Sequence, residues 1–375
     1  MPRIRPGGTR GAGARLRPLA AAACLTALAA LTACTSVTAS PAAGYDPIDT
    51  PLAESPVSLR DSFESSAAET HEYWSDPSIF QDAQPIGVTV PDTGIVNAPS
   101  DPATGVYVPP TVRVPAAESP NGYGEVPTGQ RYDRTGLGGP TTGRLYMQMS
   151  GGNGVCSATV VNSREGDVVA TAAHCVLDFA TRGVAKSIVF IPGDRDSGAV
   201  QPYGKWAATE YLMPQNFVDN AELGPDGKVA GSGWATDFAF LVMERQGGRS
   251  IQQAVGGGQG IAFGVPVQAI TQLGYPTAPP YDGTDEYLCA STNWQQGLFG
   301  GYRHPCDMSP GSSGGGWFAY FDRNAGAGYL IAVNSTGNAV LSEGSILGRQ
   351  AFELYQQAGG YGQQDGPTPT AAPTG

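Results

Sequence analysis

The sequence predicts an all-β fold of two antiparallel Greek-key barrels with a C-terminal helix, on three features of the 375-residue chain. Short runs of β-branched and aromatic residues recur between about residues 141 and 358, separated by Gly, Pro and Asp turns. The runs fall into two successive groups, each able to close one barrel. A single stretch near the end, Ala351-Phe352-Glu353-Leu354-Tyr355, has apolar residues at helical spacing.

In chain order, the first group offers strands over 155–161, 168–172, 187–191, 207–213 and 238–243. The second offers 265–273, 287–291, 316–321 and 329–334, and the helix at 351–355 packs as the closing element. Most of these runs carry Val, Ile, Phe or Tyr, side chains that suit a pleated, half-buried surface.

The flanks read differently. Arg3, Arg5, Arg10, Arg15 and Arg17 form a basic region without an acid, and Leu19 to Ala33 is an Ala/Leu-rich stretch too short to span a bilayer comfortably. Residues 1–34 are therefore expected to be an export signal. Its end, Leu31-Thr32-Ala33-Cys34, resembles a bacterial lipobox, which makes Cys34 the expected lipidated first residue of the mature protein. Lipid chains hold a protein on the outer face of the membrane through buried methylenes, without a spanning helix. Residues 35–140 are rich in Pro, Ser, Thr, Ala and Gly and are expected to form a flexible tether that can include a pro-segment. One island, Glu72-Tyr73-Trp74-Ser75, is either part of a docking pro-segment or an incidental aromatic patch. Residues 359–375 are expected to be a disordered tail.

Two motifs carry the chemistry. Thr171-Ala172-Ala173-His174-Cys175 follows the apolar run Val168-Val169-Ala170, and Gly311-Ser312-Ser313-Gly314-Gly315 comes much later. A serine hydroxyl is a poor nucleophile at neutral pH, so hydrolysis needs an imidazole to take its proton and a carboxylate to orient that imidazole. Of the histidines His71, His174 and His304, only His174 sits directly after an apolar run. Glycines flanking Ser313 allow a tight turn, and the N–H groups of Gly311 and Ser313 are expected to face a developing oxyanion. Asp237 heads the apolar run Phe238 to Val242, which would leave its carboxylate at a shielded strand edge.

On these motifs, in the order His, Asp, Ser, residues 141–358 resemble the trypsin/chymotrypsin-like serine peptidases, including the bacterial branch of V8-like glutamyl endopeptidases. The resemblance implies the chymotrypsin-like two-barrel fold with the catalytic groups in the cleft between barrels. Excluding Cys24 and Cys34, four cysteines remain, and spacing alone leaves three pairings open. The resemblance selects Cys156 with Cys175, which leaves Cys289 for Cys306. Trypsin carries an aspartate just before its serine to pair with the freshly cut N-terminus, whereas this chain has Ser312 there, so that activation switch cannot operate in the same way. Asp307 occupies the register of trypsin's pocket base, and Asn334 and Ser335 lie on the expected pocket wall.

The formal net charge is −12, which disfavours nucleic acid and anionic membrane surfaces as partners. The expectation is an exported, lipid-anchored, monomeric serine endopeptidase acting on polypeptides. It requires no organic cofactor, and no Cys or His spacing resembles a metal site. The alternatives are an esterase using the same triad, or an inactive two-barrel lipoprotein that binds peptides.

Overall fold

The computed structural model describes residues 58–86, 88–90, 105–114, 122–224 and 226–362. The export segment, Cys34 and the end of the C-terminal tail lie outside these residues. Among the described residues, no helix is long and apolar enough to cross a membrane.

The first barrel closes through backbone pairing. Strand Thr142–Met149 pairs antiparallel with Gly152–Val160, which pairs with Val168–Thr171, and that strand pairs with Ala239–Met243. Ala239–Met243 then pairs with Trp206–Pro214, which pairs with Ser187–Pro192, and the last strand returns to Thr142–Met149. Closure leaves these six strands without a free edge. Leu145, Met147, Phe190, Leu212 and Phe240 fill the interior.

The second sheet runs Tyr302–Pro305, Leu341–Ile346, Ala327–Gly337, Gly316–Asp322, Ile270–Gly274, Tyr287–Ser291 and Val126–Arg131, with Gly260–Phe263 added parallel to Ala327–Gly337. Its core includes Ile270, Trp317 and Ile331. The helix Arg349–Gln357 joins the two halves. Tyr355 packs on Phe240 of the first barrel and on Phe263 of the second sheet, and its hydroxyl donates to the Asn162 carbonyl at 2.5 Å. This is the two-barrel, all-β architecture with a closing helix that the strand pattern predicts.

The described residues before 141 depart from the expected flexible tether. Ser58–Ser62 adds antiparallel to Trp206–Pro214, and Val126–Arg131 adds to Tyr287–Ser291. Trp74 and Phe80 stack at 5.3 Å and pack with Tyr146, Val155 and Val189 of the first barrel. Low average hydrophobicity concealed these contacts because strand addition uses backbone groups and docking needs only a few aromatic anchors.

A buried ion pair reaches from the first barrel toward the second. Arg144 is 2% exposed, its Nε lies 3.6 Å from Asp194 Oδ2, and its guanidinium carbon lies 5.4 Å from the ring centre of Tyr275. Burial pushes the Asp194 carboxyl up to about 6, against the opposing pull of Arg144 and of the hydrogen bonds from Tyr146 and Gly198. Removing one partner of such a pair leaves the other charge uncompensated. Arg144→Met is therefore expected to lower the urea unfolding free energy by about 3–5 kcal/mol, with much of the loss recovered in Arg144→Met/Asp194→Leu. Equal stability of wild type and single variant would show that the pair is not coupled.

Candidate active site

The strand Val168–Thr171 ends in a 3₁₀ turn, Ala173–Cys175, that holds His174. A disulfide from Cys175 to Cys156 fastens this turn to the strand Gly152–Val160. Asp237 follows a second 3₁₀ turn, Ser232–Thr236, and directly precedes Phe238 and the strand Ala239–Met243. The two turns face one another. The Asp237 carboxylate accepts from the His174 backbone N–H at 2.9 Å through Oδ1 and from the imidazole Nδ1 at 2.7 Å through Oδ2. Ser335, on the second sheet, donates to Oδ2 at 2.5 Å.

His174 and Asp237 are both fully buried, at 0% exposure. Trp234 lies 5.9 Å from the imidazole, ring centre to ring centre, and is itself stacked on Phe179 and met edge-on by Phe217. This aromatic wall keeps water from the ion-pairing edge, which strengthens every electrostatic contact inside. With Nδ1 held by a carboxylate, the imidazole presents Nε2 as its free acceptor. Nε2 makes no hydrogen bond among the described residues.

Ser313 sits on a turn clamped from the first barrel. Ser157 N–H donates to the Ser313 carbonyl at 2.7 Å, Ser157 Oγ donates to the Gly311 carbonyl at 2.9 Å, and Thr171 Oγ1 donates to the Ser157 carbonyl at 2.9 Å. Ser157 thus links the strand leading to His174 with the loop carrying Ser313. Two glycines are required by this approach. Gly311 has φ +101°, and a Cβ there would lie 2.4 Å from Thr277 Oγ1; Gly314 has φ +75°, and a Cβ would lie 2.1 Å from Thr171 Oγ1. With the turn so set, Ser313 remains 4% exposed at the surface of the cleft.

Ser312, where trypsin's aspartate would stand, is held by neutral groups. Its hydroxyl donates to the Ser309 carbonyl at 2.8 Å and accepts from Asn334 Nδ2 at 3.2 Å. Asn334 Oδ1 accepts from Gln272 Nε2 at 3.1 Å, and Gln272 Oε1 pairs with His304 Nε2 at 2.9 Å. His304 is a buried strut beneath the loop, edge-on to Trp317, and does not reach the pocket wall. Ser157 and Gln272 escaped the sequence reading. Their available signal is a polar residue in the middle of a buried strand, which is common and does not by itself point to a site.

A cavity of about 430 Å³ opens beside Ser313. Asp307, Asn334 and Ser335 all line it, and Asp307 carries the one charged side chain among its lining residues. Asp307 Oδ1 accepts from the Gly129 N–H at 2.7 Å and from the Tyr281 hydroxyl at 2.5 Å. The second disulfide, Cys289 to Cys306, lies directly before Asp307 and anchors that wall to the strand Tyr287–Ser291. Cys156, His174 and Cys175 form the one group with metal-like proximity among the described residues, but both sulfurs are committed to a disulfide and cannot act as thiolate ligands.

Burial lowers the His304 imidazole from its ordinary 6.5 to about 4. Between these values the unfolded chain binds a proton that the folded chain refuses, so this residue makes stability fall as pH drops through that window. Asp194, raised by burial, acts in the opposite sense over part of the same range. The contribution of His304 therefore emerges as a difference. His304→Gln is expected to lose stability less steeply than wild type between about pH 6.5 and 4, the gap approaching roughly 3 kcal/mol at the acid end. Parallel pH profiles of the urea midpoints would refute this.

No protein-family model matches the sequence, and no curated protein does. Solved structures do. Protease Anisep from Arthrobacter nicotinovorans is 28% identical, with a TM-score of 0.52 over 61% of this chain and 98% of its own. The thermostable serine protease AL20 from an extremophilic microorganism is 29% identical, with a TM-score of 0.49 over 60% of this chain and 98% of its own. A Glu endopeptidase solved with MPD is 16% identical, with a TM-score of 0.46 over 64% of this chain and 99% of its own. The likeness to Anisep carries the comparison, and with the closed barrel, the second sheet and the C-terminal helix it gives this chain the trypsin/chymotrypsin-like serine-protease fold.

Proposed function

We propose that the chain is an exported serine endopeptidase with Ser313 as nucleophile, His174 as general base and Asp237 as the group that orients the imidazole. The observation that carries this reading is the Asp237 carboxylate, which fixes both the backbone and the Nδ1 of His174 in a dry setting beside the Ser313 turn. In the reaction Ser313 Oγ attacks the scissile carbonyl while its proton passes to His174 Nε2. The imidazolium gives that proton to the departing amine, leaving an acyl-serine. Water then attacks the ester while His174 takes its proton, and the imidazolium returns that proton to the departing Ser313 Oγ as the acid product leaves. The N–H groups of Gly311 and Ser313 serve the oxyanion in both steps.

The cavity wall supports a preference for Lys or Arg at the residue before the cut. Asp307 is its one charged lining group, and a glutamate side chain would meet a carboxylate with no cation to offset it. Two disulfides suit an oxidising compartment. Cys34 provides for tethering to the outer face of the membrane, and residues 141–358 form the peptidase unit.

Fluorophosphonate labelling and casein cleavage are expected to be lost in both Ser313→Ala and His174→Ala, and retained labelling of either would remove that residue from its role. On peptide substrates differing only before the cut, Arg and Lys are expected to exceed Glu in kcat/KM by about tenfold or more. A preference for Glu would exclude Asp307 as the pocket base.

A further inference from the structure

The candidate cleft already holds a polypeptide, and it is the chain's own. Gln84–Pro85 lies alongside Gly154–Val155 in parallel register, and the Ile86 N–H donates to the Val155 carbonyl at 3.2 Å. The Ile86 carbonyl then accepts a hydrogen bond from Ser313 Oγ at 3.2 Å. Beyond it, Val88 and Val90 are buried at 8% and 7% exposure. Between them Thr89 bridges in parallel to both Lys228 and Gly337, and its carbonyl accepts from the Val229 N–H at 3.0 Å. Val88 and Thr89 form part of the wall of the cavity beside Ser313.

The contact at Ser313 is the wrong one for cleavage. Attack requires the carbonyl carbon to face Oγ, with the carbonyl oxygen turned toward the N–H groups of Gly311 and Ser313. Here the oxygen itself faces Oγ and takes its hydrogen. The same bond removes the hydroxyl proton from His174, whose buried Nε2 is left without a hydrogen-bond partner among the described residues.

We propose that residues 84–86 and 88–90 are an internal latch that holds most of the enzyme population inactive by occupying its cleft and turning the Ser313 hydroxyl from His174 to the Ile86 carbonyl. The proposal rests on the reading of Ser313 and His174 as the catalytic pair. Upstream anchors fix the latch in place. Trp74 and Phe80 are buried against Tyr146 and Val155, Tyr73 donates to Asn153 Oδ1 at 2.8 Å, Lys205 Nζ donates to the Trp74 carbonyl at 2.6 Å, and His71 pairs with Glu244. Activation then consists of withdrawing this segment from the cleft, which replaces the aspartate-based switch that Ser312 rules out.

Two variants of the full chain release the latch by independent routes. Val88→Asp/Val90→Asp makes its seat in the cleft unfavourable, and Trp74→Ala/Phe80→Ala removes its anchors on the barrel. Circular dichroism checks that each is folded. Either folded variant is expected to react with a fluorophosphonate about tenfold faster or more than wild type, in proportion to the freed population. That labelling must disappear when Ser313→Ala is added. In parallel, the His174 imidazole NMR resonances are expected to shift on release, as Nε2 gains the Ser313 hydroxyl. Measurable labelling at equal rates in wild type and variants, or unchanged His174 resonances, would overturn the latch. Shifted resonances with no labelling in any protein would support occupancy of the cleft and overturn the hydrolytic reading instead.

Discussion

The Asp237 carboxylate is the constraint around which the two barrels are arranged. A charge with no solvent exposure is tolerated only when its lone pairs are filled by donors of fixed geometry. Three donors meet it, two from the His174 turn of the first barrel and one from Ser335 on the second sheet. The first two fix the imidazole in one tautomer and orientation. The third makes the position of the second sheet part of the same arrangement, so the cleft and the ion-pairing edge are built together. Trp234, Phe179 and Phe217 complete it by closing off water.

The parts of this molecule that were legible in sequence are those where chemistry restricts residue type. Glycine at 311 and 314 is needed because the backbone has positive φ and the first barrel comes within contact distance. An imidazole after a buried strand and a carboxylate heading another are equally restricted. The strand pattern was readable for the same reason, since Phe190, Leu212 and Phe240 face a closed interior. Thr142–Met149 was harder to see, because Thr142 and Arg144 interrupt its apolar run, and Arg144 is buried through its pairing with Asp194 rather than by hydrophobicity.

The N-terminal region was the least legible. Ser58–Ser62 pairs along its whole length through backbone groups that any residue supplies, and its exposed polar side chains resemble those of a linker. Trp74 and Phe80 are the buried aromatic anchors there, yet they are few against a background of Ser, Pro and Ala. The Ser312 loop shows a related limit. A chain of neutral side chains ending at His304 takes the place of an ionic contact, and residues that belong to different strands cannot be connected by spacing alone.

Continuity between Ile86 and the barrels has a kinetic and evolutionary side. A ligand carried on the same polypeptide sees its site at an effective concentration of about millimolar for a short link, however dilute the protein becomes. Dilution, which would dissociate a separate inhibitor, leaves such a contact intact. Each contact in the segment can therefore be individually weak, and Ile86 needs to offer nothing more specific than a peptide carbonyl. Selection on the Ile86 side chain is correspondingly relaxed, so a closely related chain can conserve the blockade while residue 86 changes, provided the buried Val88 and Val90 stay apolar.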